Sequence, residues 1–109
     1  MEPRGRRILH YLIDGRSMFS EWLDALADPP GQAAIDGRLD RVAQGNFGDC
    51  RPVGKGVWEL RVHSGPGYRI YYSEDGPVIV VLLCGGDKRG QRRDISRARR
   101  YWADYRRRK

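Results

Sequence analysis

The 109-residue chain is long enough for one small domain, which we expect to span residues 1–109, and its apolar fraction of 39% permits a modest core. No apolar run approaches the roughly 20 residues of a membrane-spanning helix, and the basic N-terminus lacks the apolar segment of a secretory signal. The formal net charge of +7 favours polyanionic partners. Cys50 and Cys84 lack metal-ligand spacing, so we interpret both as reduced thiols in a cytoplasmic protein that binds no metal or organic cofactor.

The positive charge is concentrated at the C-terminus. Residues 88–109 hold 11 Lys/Arg and two acids, a net of +9, whereas residues 1–87 hold 10 basic and 12 acidic residues, a net of −2. Such a block attracts phosphate polyanions through an interaction that weakens steeply with salt. A solvated helix that maintains solubility, or a face that meets an acidic protein, is compatible with the same composition.

The first third of the chain predicts a strand and a helix. Residues 8–13 form a short apolar run that a turn at Asp14-Gly15 closes. After Ser17, apolar residues recur at the spacing of one helical turn as far as Leu26. The segment at residues 28–31, Asp-Pro-Pro-Gly, ends this helix because proline cannot continue the hydrogen-bond ladder.

A second helix is predicted from the apolar residues Ile35, Leu39 and Val42, with Arg38 turned outward. Gly45-Asn46 is typical of a helix C-terminus. Two consecutive helices that each carry one apolar stripe predict a helical hairpin lying over a sheet.

The second half of the chain predicts strands at residues 50–53, 57–62, 68–72 and 77–84. The last strand is the most continuously apolar, so we expect it at the centre of the sheet, buried on both faces. A final helix has an apolar side made of Ile95, Ala98, Trp102 and Tyr105. The predicted order of elements is β-α-α-β-β-β-β-α.

The hairpin of the second and third of these strands brings two arginines together. If His63 pairs with Gly67 across the connection, Arg61 lies opposite Arg69, and Glu59 lies opposite Tyr71. Adjacent like charges repel, and either a bound polyanion or a carboxylate near each arginine relieves that repulsion. Arginine is well suited to phosphate because its planar fork donates two parallel hydrogen bonds.

A short polar segment, Gly85-Gly86-Asp87-Lys88, follows the central strand. Glycines after a strand let the backbone approach a ligand closely, and Lys88 is placed to reach the surface that holds the arginines. The spacing is not that of a nucleotide-binding phosphate loop.

These residues have the chemistry for RNA cleavage by the ribose 2′-hydroxyl, which attacks the neighbouring phosphate once a base removes its proton. Arg61, Arg69 and Lys88 are the candidate cations. The candidate proton-transfer groups are His63, Glu59, Tyr71 and Asp87. Histidine is the side chain best suited to exchange protons near neutral pH. Tyr71 is also a candidate for stacking on a base.

The ordered set of motifs resembles the RelE/ParE superfamily of toxins from type II toxin–antitoxin systems, and within it the HigB-like, phage-derived addiction module killer proteins. The resemblance covers residues 8 to about 105. The motifs that carry it are Phe19, Trp22 and Leu23, then Arg38-Leu39, Gly45-Asn46-Phe47-Gly48-Asp49, Val57-Trp58-Glu59-Leu60-Arg61, Gly67-Tyr68-Arg69-Ile70-Tyr71-Tyr72, Gly85-Gly86-Asp87-Lys88, Gln91 and Asp94-Ile95.

The resemblance implies an α+β fold of the RelE/ParE type, with two N-terminal helices and a C-terminal helix packed on a mainly antiparallel twisted sheet. It implies a metal-independent, ribosome-dependent mRNA endoribonuclease that a helix-turn-helix antitoxin neutralises. Arg69 matches the family's tyrosine–arginine pair, Arg61 matches a lysine position, and Lys88 lies near a basic residue after the last strand. The expected partners are the ribosome, mRNA and the antitoxin. The basic residues expected to bind RNA beside Tyr71 are Arg89, Arg92, Arg93 and Arg97.

Two positions depart from the RelE pattern. Glu59 stands where that type has a second lysine, and Arg93-Asp94-Ile95 stands where it has a tyrosine. His63, Glu59 or Asp87 is then expected to transfer protons instead. Two alternatives stay open: a ParE-type DNA gyrase inhibitor, for which the strand arginines are dispensable, and a non-catalytic nucleic-acid-binding module.

Overall fold

The computed structural model describes residues 5–109, so the start of the basic N-terminal segment, residues 1–4, lies outside the described residues. Three helices pack against a mixed five-stranded sheet. The strands are β1 (Arg7–His10), β2 (Leu12–Ile13), β3 (Arg16–Ser17), β4 (Cys50–Pro52), β5 (Trp58–Val62), β6 (Tyr68–Asp75) and β7 (Ile79–Asp87). The helices are α1 (Met18–Asp24), α2 (Pro29–Ala43) and α3 (Gln91–Arg108), with a 3-10 turn at Lys88–Gly90 before α3.

The main sheet has the strand order β1-β7-β6-β5-β4. β1 is parallel to β7, and the other pairs are antiparallel, so the predicted α+β class and mainly antiparallel sheet are confirmed. The prediction of one strand over residues 8–13 was wrong. β1 ends at His10, and β2 pairs with β3 around a turn at Asp14 (φ 51°) and Gly15 (φ 75°), which turns the chain back on itself.

The boundary between the first two helices also differs from the prediction. α1 ends at Asp24 rather than near Leu26, and the two prolines begin α2 instead of ending α1. Asp28 caps α2 by accepting a hydrogen bond from the Gly31 backbone N–H at 3.1 Å. Proline is tolerated in the first helical turn because the N–H groups there have no partner within the helix.

The two faces of the sheet are covered by different helices. Leu60, Ile70 and Leu82 pack in one apolar cluster with residues of α1 and α2, which confirms that both helices lie on the same face. The opposite face packs against α3. β7 is buried along most of its length on both faces, as predicted.

The strand register determines which polar residues share the α3 face. Arg61 lies opposite Arg69 and Glu59 opposite Tyr71, so the predicted β5–β6 register is confirmed. β7 has an irregularity where Tyr71 and Tyr72 pair with Cys84 and Leu82. β7 then continues to Asp87, so the glycine segment predicted to follow the strand is part of it.

Candidate functional site

An open groove of about 380 Å³ lies at the connection between β5 and β6, and we refer to it as the groove. Arg61, His63, Arg69 and Lys88 line it together with the hairpin residues 64–67. The hairpin geometry accounts for this arrangement, since Arg61 and Arg69 are cross-strand partners and His63 begins the turn. The last residue of β7, Asp87, pairs with the first residue of β6, which brings Lys88 to the same edge.

Asp49 holds two of the groove residues. Its Oδ1 accepts hydrogen bonds from Arg61 Nη2 at 2.9 Å and Nε at 3.2 Å, and its Oδ2 lies 2.6 Å from His63 Nε2. The hydrogen bonds with His63 and Arg61 lower the pKa of Asp49 below its ordinary value. Arg61 therefore has the nearby acid that offsets its repulsion from Arg69.

Arg38 anchors the segment that carries Asp49. The prediction that this side chain turns outward was wrong, because its guanidinium donates to the backbone carbonyl oxygens of Arg61 and of Phe47, the latter at 2.8 Å. The Arg61 backbone N–H also donates to the Asp49 carbonyl at 2.9 Å. These bonds fasten residues 47–49 to the end of β5 and so determine the position of the Asp49 carboxylate.

Glu59 lies beneath the groove and is fully buried, with 0% exposure. Arg51 Nε donates to its Oε1 at 2.9 Å, while Tyr71 Oη at 3.1 Å and Gln91 Nε2 at 3.0 Å donate to its Oε2. Arg69 Nε lies 3.5 Å from the same Oε2. Burial by itself raises the pKa of Glu59, but the hydrogen bonds from Gln91, Arg51 and Tyr71 outweigh it and the net shift is downward.

The buried position of Tyr71 conflicts with the predicted role in base stacking. Its ring is fully buried in the cluster beneath α3, and its hydroxyl donates to Glu59. Burial, followed by the nearby Glu59 charge, raises the pKa of Tyr71 well above its ordinary value. Tyr71 therefore presents no face to a ligand and stays a neutral hydrogen-bond donor.

The glycines of β7 serve helix packing. A Cβ on Gly85 would lie 2.3 Å from the Trp22 ring, and one on Gly86 would lie 1.9 Å from Asp94 Oδ2. The sequence predicted that these glycines let a ligand approach the backbone closely. In the structure they instead let α1 and α3 pack closely against β7. Asp94 is itself buried, which raises its pKa, and it is paired with Arg97 at 2.9 Å.

A second open depression of about 650 Å³ is lined by residues 87–93, and we refer to it as the helix-start basin. Lys88 lines both the groove and this basin. Asp87 accepts a hydrogen bond from the Arg89 backbone N–H at 2.9 Å, which caps the 3-10 turn. Burial raises the pKa of Asp87, but the hydrogen bonds from Arg89 prevail and the net shift is downward.

The sequence matches the phage-derived protein Gp49-like family (DUF891) over residues 21–103, a region that includes every side chain of the groove. The chain belongs to the Gp49-like family. It is also 44% identical over 81 residues to an uncharacterised protein of Haemophilus influenzae, a match that covers 74% of this chain and 82% of the relative.

The Gp49-like fold brings some predicted site residues together and separates others. Arg61, His63, Arg69 and Lys88 share the groove, and Arg89, Arg92 and Arg93 line the adjoining basin. Glu59 and Tyr71 lie beneath the groove in the core. Arg97 points to Asp94, and its Nε is buried without a hydrogen-bond partner among residues 5–109.

Sequence reasoning missed Asp49, Arg51 and Gln91 as members of the site. Asp49 and Gln91 stand within the motifs quoted above, but both lie outside the β5–β6 hairpin, and the alternation along its strands does not show that they contact it. Arg51 had a usable signal, because a strand before β5 in antiparallel register places it opposite Glu59.

The described residues offer no cluster of three or more His, Cys, Asp or Glu side chains that could hold a metal ion. Within the same residues, none of the helices has the length and apolar character needed to cross a membrane.

Proposed function

We propose that this protein is the toxin of a type II toxin–antitoxin system, a HigB-like member of the RelE/ParE superfamily that cleaves mRNA on the ribosome. The observation that carries this proposal is the convergence of Arg61, His63, Arg69 and Lys88 on one open groove. The phage-derived Gp49-like family and the resemblance of the motifs both support it.

The proposed reaction is an attack of the ribose 2′-oxygen on the adjacent phosphorus. The phosphorus–5′-oxygen bond breaks, leaving a 2′,3′-cyclic phosphate on one fragment and a 5′-hydroxyl on the other. Negative charge develops on the phosphoryl oxygens during this step, and preorganised guanidinium groups stabilise it. Arg69 and Arg61 have this role in our proposal, and their carboxylate partners keep them in place before substrate arrives.

His63 is our candidate for removing the 2′-hydroxyl proton. Its Nε2 contacts Asp49, and a proton on that nitrogen leaves Nδ1 with a free lone pair. The side chain is exposed at the groove, where a substrate can reach it. Lys88, an exposed ammonium group of the same groove, is our candidate for protonating the departing 5′-oxygen.

The remaining partners follow from the same proposal. The net charge of +9 in residues 88–109 attracts ribosomal and messenger RNA. A helix-turn-helix antitoxin neutralises the toxin in the cytoplasm until the toxin is released. In this scheme protein side chains supply the charges and the proton transfers of the reaction.

Inducible expression in a bacterial host tests the proposal. Protein and DNA synthesis are followed by pulse labelling, and mRNA 5′ ends are mapped in cells that express the wild type or Arg69→Ala. We expect protein synthesis to stop first, with new 5′ ends confined to translated codons and absent with the variant. DNA synthesis that stops first over intact mRNA would instead favour a gyrase inhibitor, and RNA binding without cleavage would favour a non-catalytic module.

A further inference from the structure

Glu59 is a fully buried carboxylate whose partners come from three different elements. Arg51 lies on β4, Tyr71 and Arg69 lie on β6, and Gln91 is the first residue of α3. Removing a carboxylate from water is costly unless hydrogen bonds replace those of water. Hydrogen bonds from Arg51, Tyr71 and Gln91 replace those of water, and the nearby Arg69 guanidinium adds a compensating positive charge, so the buried charge is retained.

The position of Glu59 excludes the direct role in proton transfer that the sequence suggested. Its exposure is 0%, and both oxygens accept hydrogen bonds from protein donors. A proton acceptor must come within hydrogen-bond reach of the substrate. With the site arranged as described, a substrate in the groove does not reach this carboxylate.

Arg69 is the group through which Glu59 acts on the groove. Only 12% of the Arg69 side chain is exposed, and its buried Nε lies 3.5 Å from Glu59 Oε2, an ion-pair distance, with no hydrogen-bond partner among residues 5–109. Arg69 also lines the groove, so its guanidinium lies between the buried carboxylate and the open surface. The negative charge beneath it favours one orientation of the guanidinium group.

We propose that Glu59 is a positioning residue that orients Arg69 toward the groove and, through Gln91, fixes the start of α3 against β5. This inference rests on the proposed function, because the purpose of the orientation is cleavage of a phosphodiester. Gln91 follows Lys88 by three residues, across the 3-10 turn. One carboxylate thereby sets the relative positions of two groove cations, Arg69 directly and Lys88 through the helix start.

The variant that tests this is Glu59→Gln, which keeps the shape of the side chain and removes its charge. The new amide group turns a donor toward other donors, whichever way it is oriented. Glu74→Gln is the matched control, since Glu74 is an exposed residue on β6, away from the groove. We expect both proteins to retain the wild-type circular dichroism spectrum.

The first readout is the Nε–H signal of Arg69 in nitrogen-15 NMR spectra, assigned by its loss in Arg69→Lys. In the wild type and in Glu74→Gln we expect a signal separated from those of exposed arginines and in slow exchange with water. In Glu59→Gln we expect the signal to merge with the exposed arginines and exchange roughly tenfold faster. An unchanged Arg69 signal in folded Glu59→Gln overturns the proposal.

The second readout is cleavage of mRNA on programmed ribosomes. We expect Glu59→Gln to lower kcat by about 100-fold with KM within about threefold, because a misplaced catalytic group loses rate before it loses binding. Wild-type kcat in Glu59→Gln overturns the proposal. If the wild type cleaves no RNA at all, the proposed nuclease fails, and the NMR comparison still decides whether Glu59 orients Arg69.

If Glu59→Gln does not fold, Gln91→Ala provides the test. The substitution removes one hydrogen bond to Glu59, while the Glu59 carboxylate and the Arg69 side chain are both still present. We expect a broadened Arg69 signal and about a tenfold lower kcat at unchanged KM. An Arg69 signal and a kcat identical to those of the wild type overturn the proposal.

Discussion

The groove and the helix-start basin are both cationic and share Lys88, but their arginines differ in how firmly carboxylates hold them. In the groove, Arg61 is paired with Asp49, and Arg69 lies mostly buried against Glu59. In the basin, Arg89 pairs with Asp87 at 3.4 Å, whereas Arg92 and Arg93 are exposed and form no salt bridge with the described acidic residues. The difference separates arginines that a carboxylate holds in place from exposed arginines that lack such a partner among the described residues.

This contrast indicates which cations suit chemistry and which suit attraction. Stabilising a transition state requires groups that need no reorganisation when charge develops, and the groove arginines are held in this way. Attracting a polyanion requires only charge close to the surface, and the exposed arginines of the basin provide it. We therefore expect substitutions in the groove to affect rate and those in the basin to affect salt dependence.

The largest expected effect is that of Arg69→Ala. Removing one preorganised donor to a developing oxyanion lowers the rate by about 100- to 1000-fold, and we expect that loss in mRNA cleavage together with the loss of toxicity. The fold should persist because Arg51, Tyr71 and Gln91 still bond to Glu59.

Arg41 is an exposed arginine on α2, so Arg41→Ala is the control for Arg69→Ala and should cleave mRNA at the wild-type rate. Circular dichroism and thermal melting establish that both variants fold. A folded Arg69→Ala protein of full toxicity would remove Arg69 from the catalytic set.

The next effect concerns the stability that α3 provides. A chain ending at Arg100 loses Trp102, which is 8% exposed and stacks on Tyr105 at a ring-centroid distance of 5.3 Å. We expect the free energy of unfolding to fall by about 3 kcal/mol or more, by analogy with the removal of buried aromatic side chains. Urea denaturation measures the change.

A chain ending at Tyr105 is the control for this truncation, because it loses the four basic residues 106–109 and keeps the aromatic stack. It should weaken salt-dependent RNA binding with a smaller loss of stability. Equal melting temperatures for the Arg100 truncation and the full chain would contradict the role of this packing.

A smaller effect is expected from Asp49→Asn. The amide no longer holds His63 and Arg61 by charge, so we expect about a tenfold lower cleavage rate as general-base catalysis weakens. Asp36 is an exposed acid on α2, so Asp36→Asn is the control and should cleave at the wild-type rate. Normal cleavage by Asp49→Asn would show that the carboxylate does not organise the groove.

The lowered pKa of the Asp49 carboxylate predicts that the stability of the fold depends on pH. The folded-state pKa of Asp49 is lowered by its hydrogen bonds with His63 and Arg61, so its contribution is present at neutral pH and is lost as pH falls through that lowered pKa. The stability difference between the wild type and Asp49→Asn should shrink between neutral pH and about pH 2, as urea titrations can show. A constant difference over that range would contradict the assignment.

The smallest expected effect is that of the double variant Arg92→Gln/Arg93→Gln in the basin. We expect RNA affinity to weaken uniformly across sequences and the logarithmic salt slope to fall by about 2, one for each phosphate contact. Filter binding across a salt series measures the slope, with Arg41→Gln as the control. A loss of cleavage at low salt as large as that of Arg69→Ala would erase the distinction between groove and basin.

The hairpin shows how far sequence reasoning reaches. Alternation along β5 and β6, together with the length of the connection, was sufficient to place Arg61 opposite Arg69. Helix boundaries were less accurate, because Pro29 is compatible both with ending one helix and with beginning the next. The continuation of β7 to Asp87 was missed because Gly85 and Gly86 are also typical of loops.

The amino-acid sequence by itself determined the order of the main elements, the apolar faces of the helices and the cations on the hairpin, because these depend on short-range periodicity and register. Tertiary structure decided which of these residues are buried. α3 covers the sheet face that carries Glu59 and Tyr71, and residues from β4 and α3 meet at that carboxylate. No local pattern specifies which face a distant helix will cover, so a residue that the sequence offers as a surface base became a buried support for Arg69.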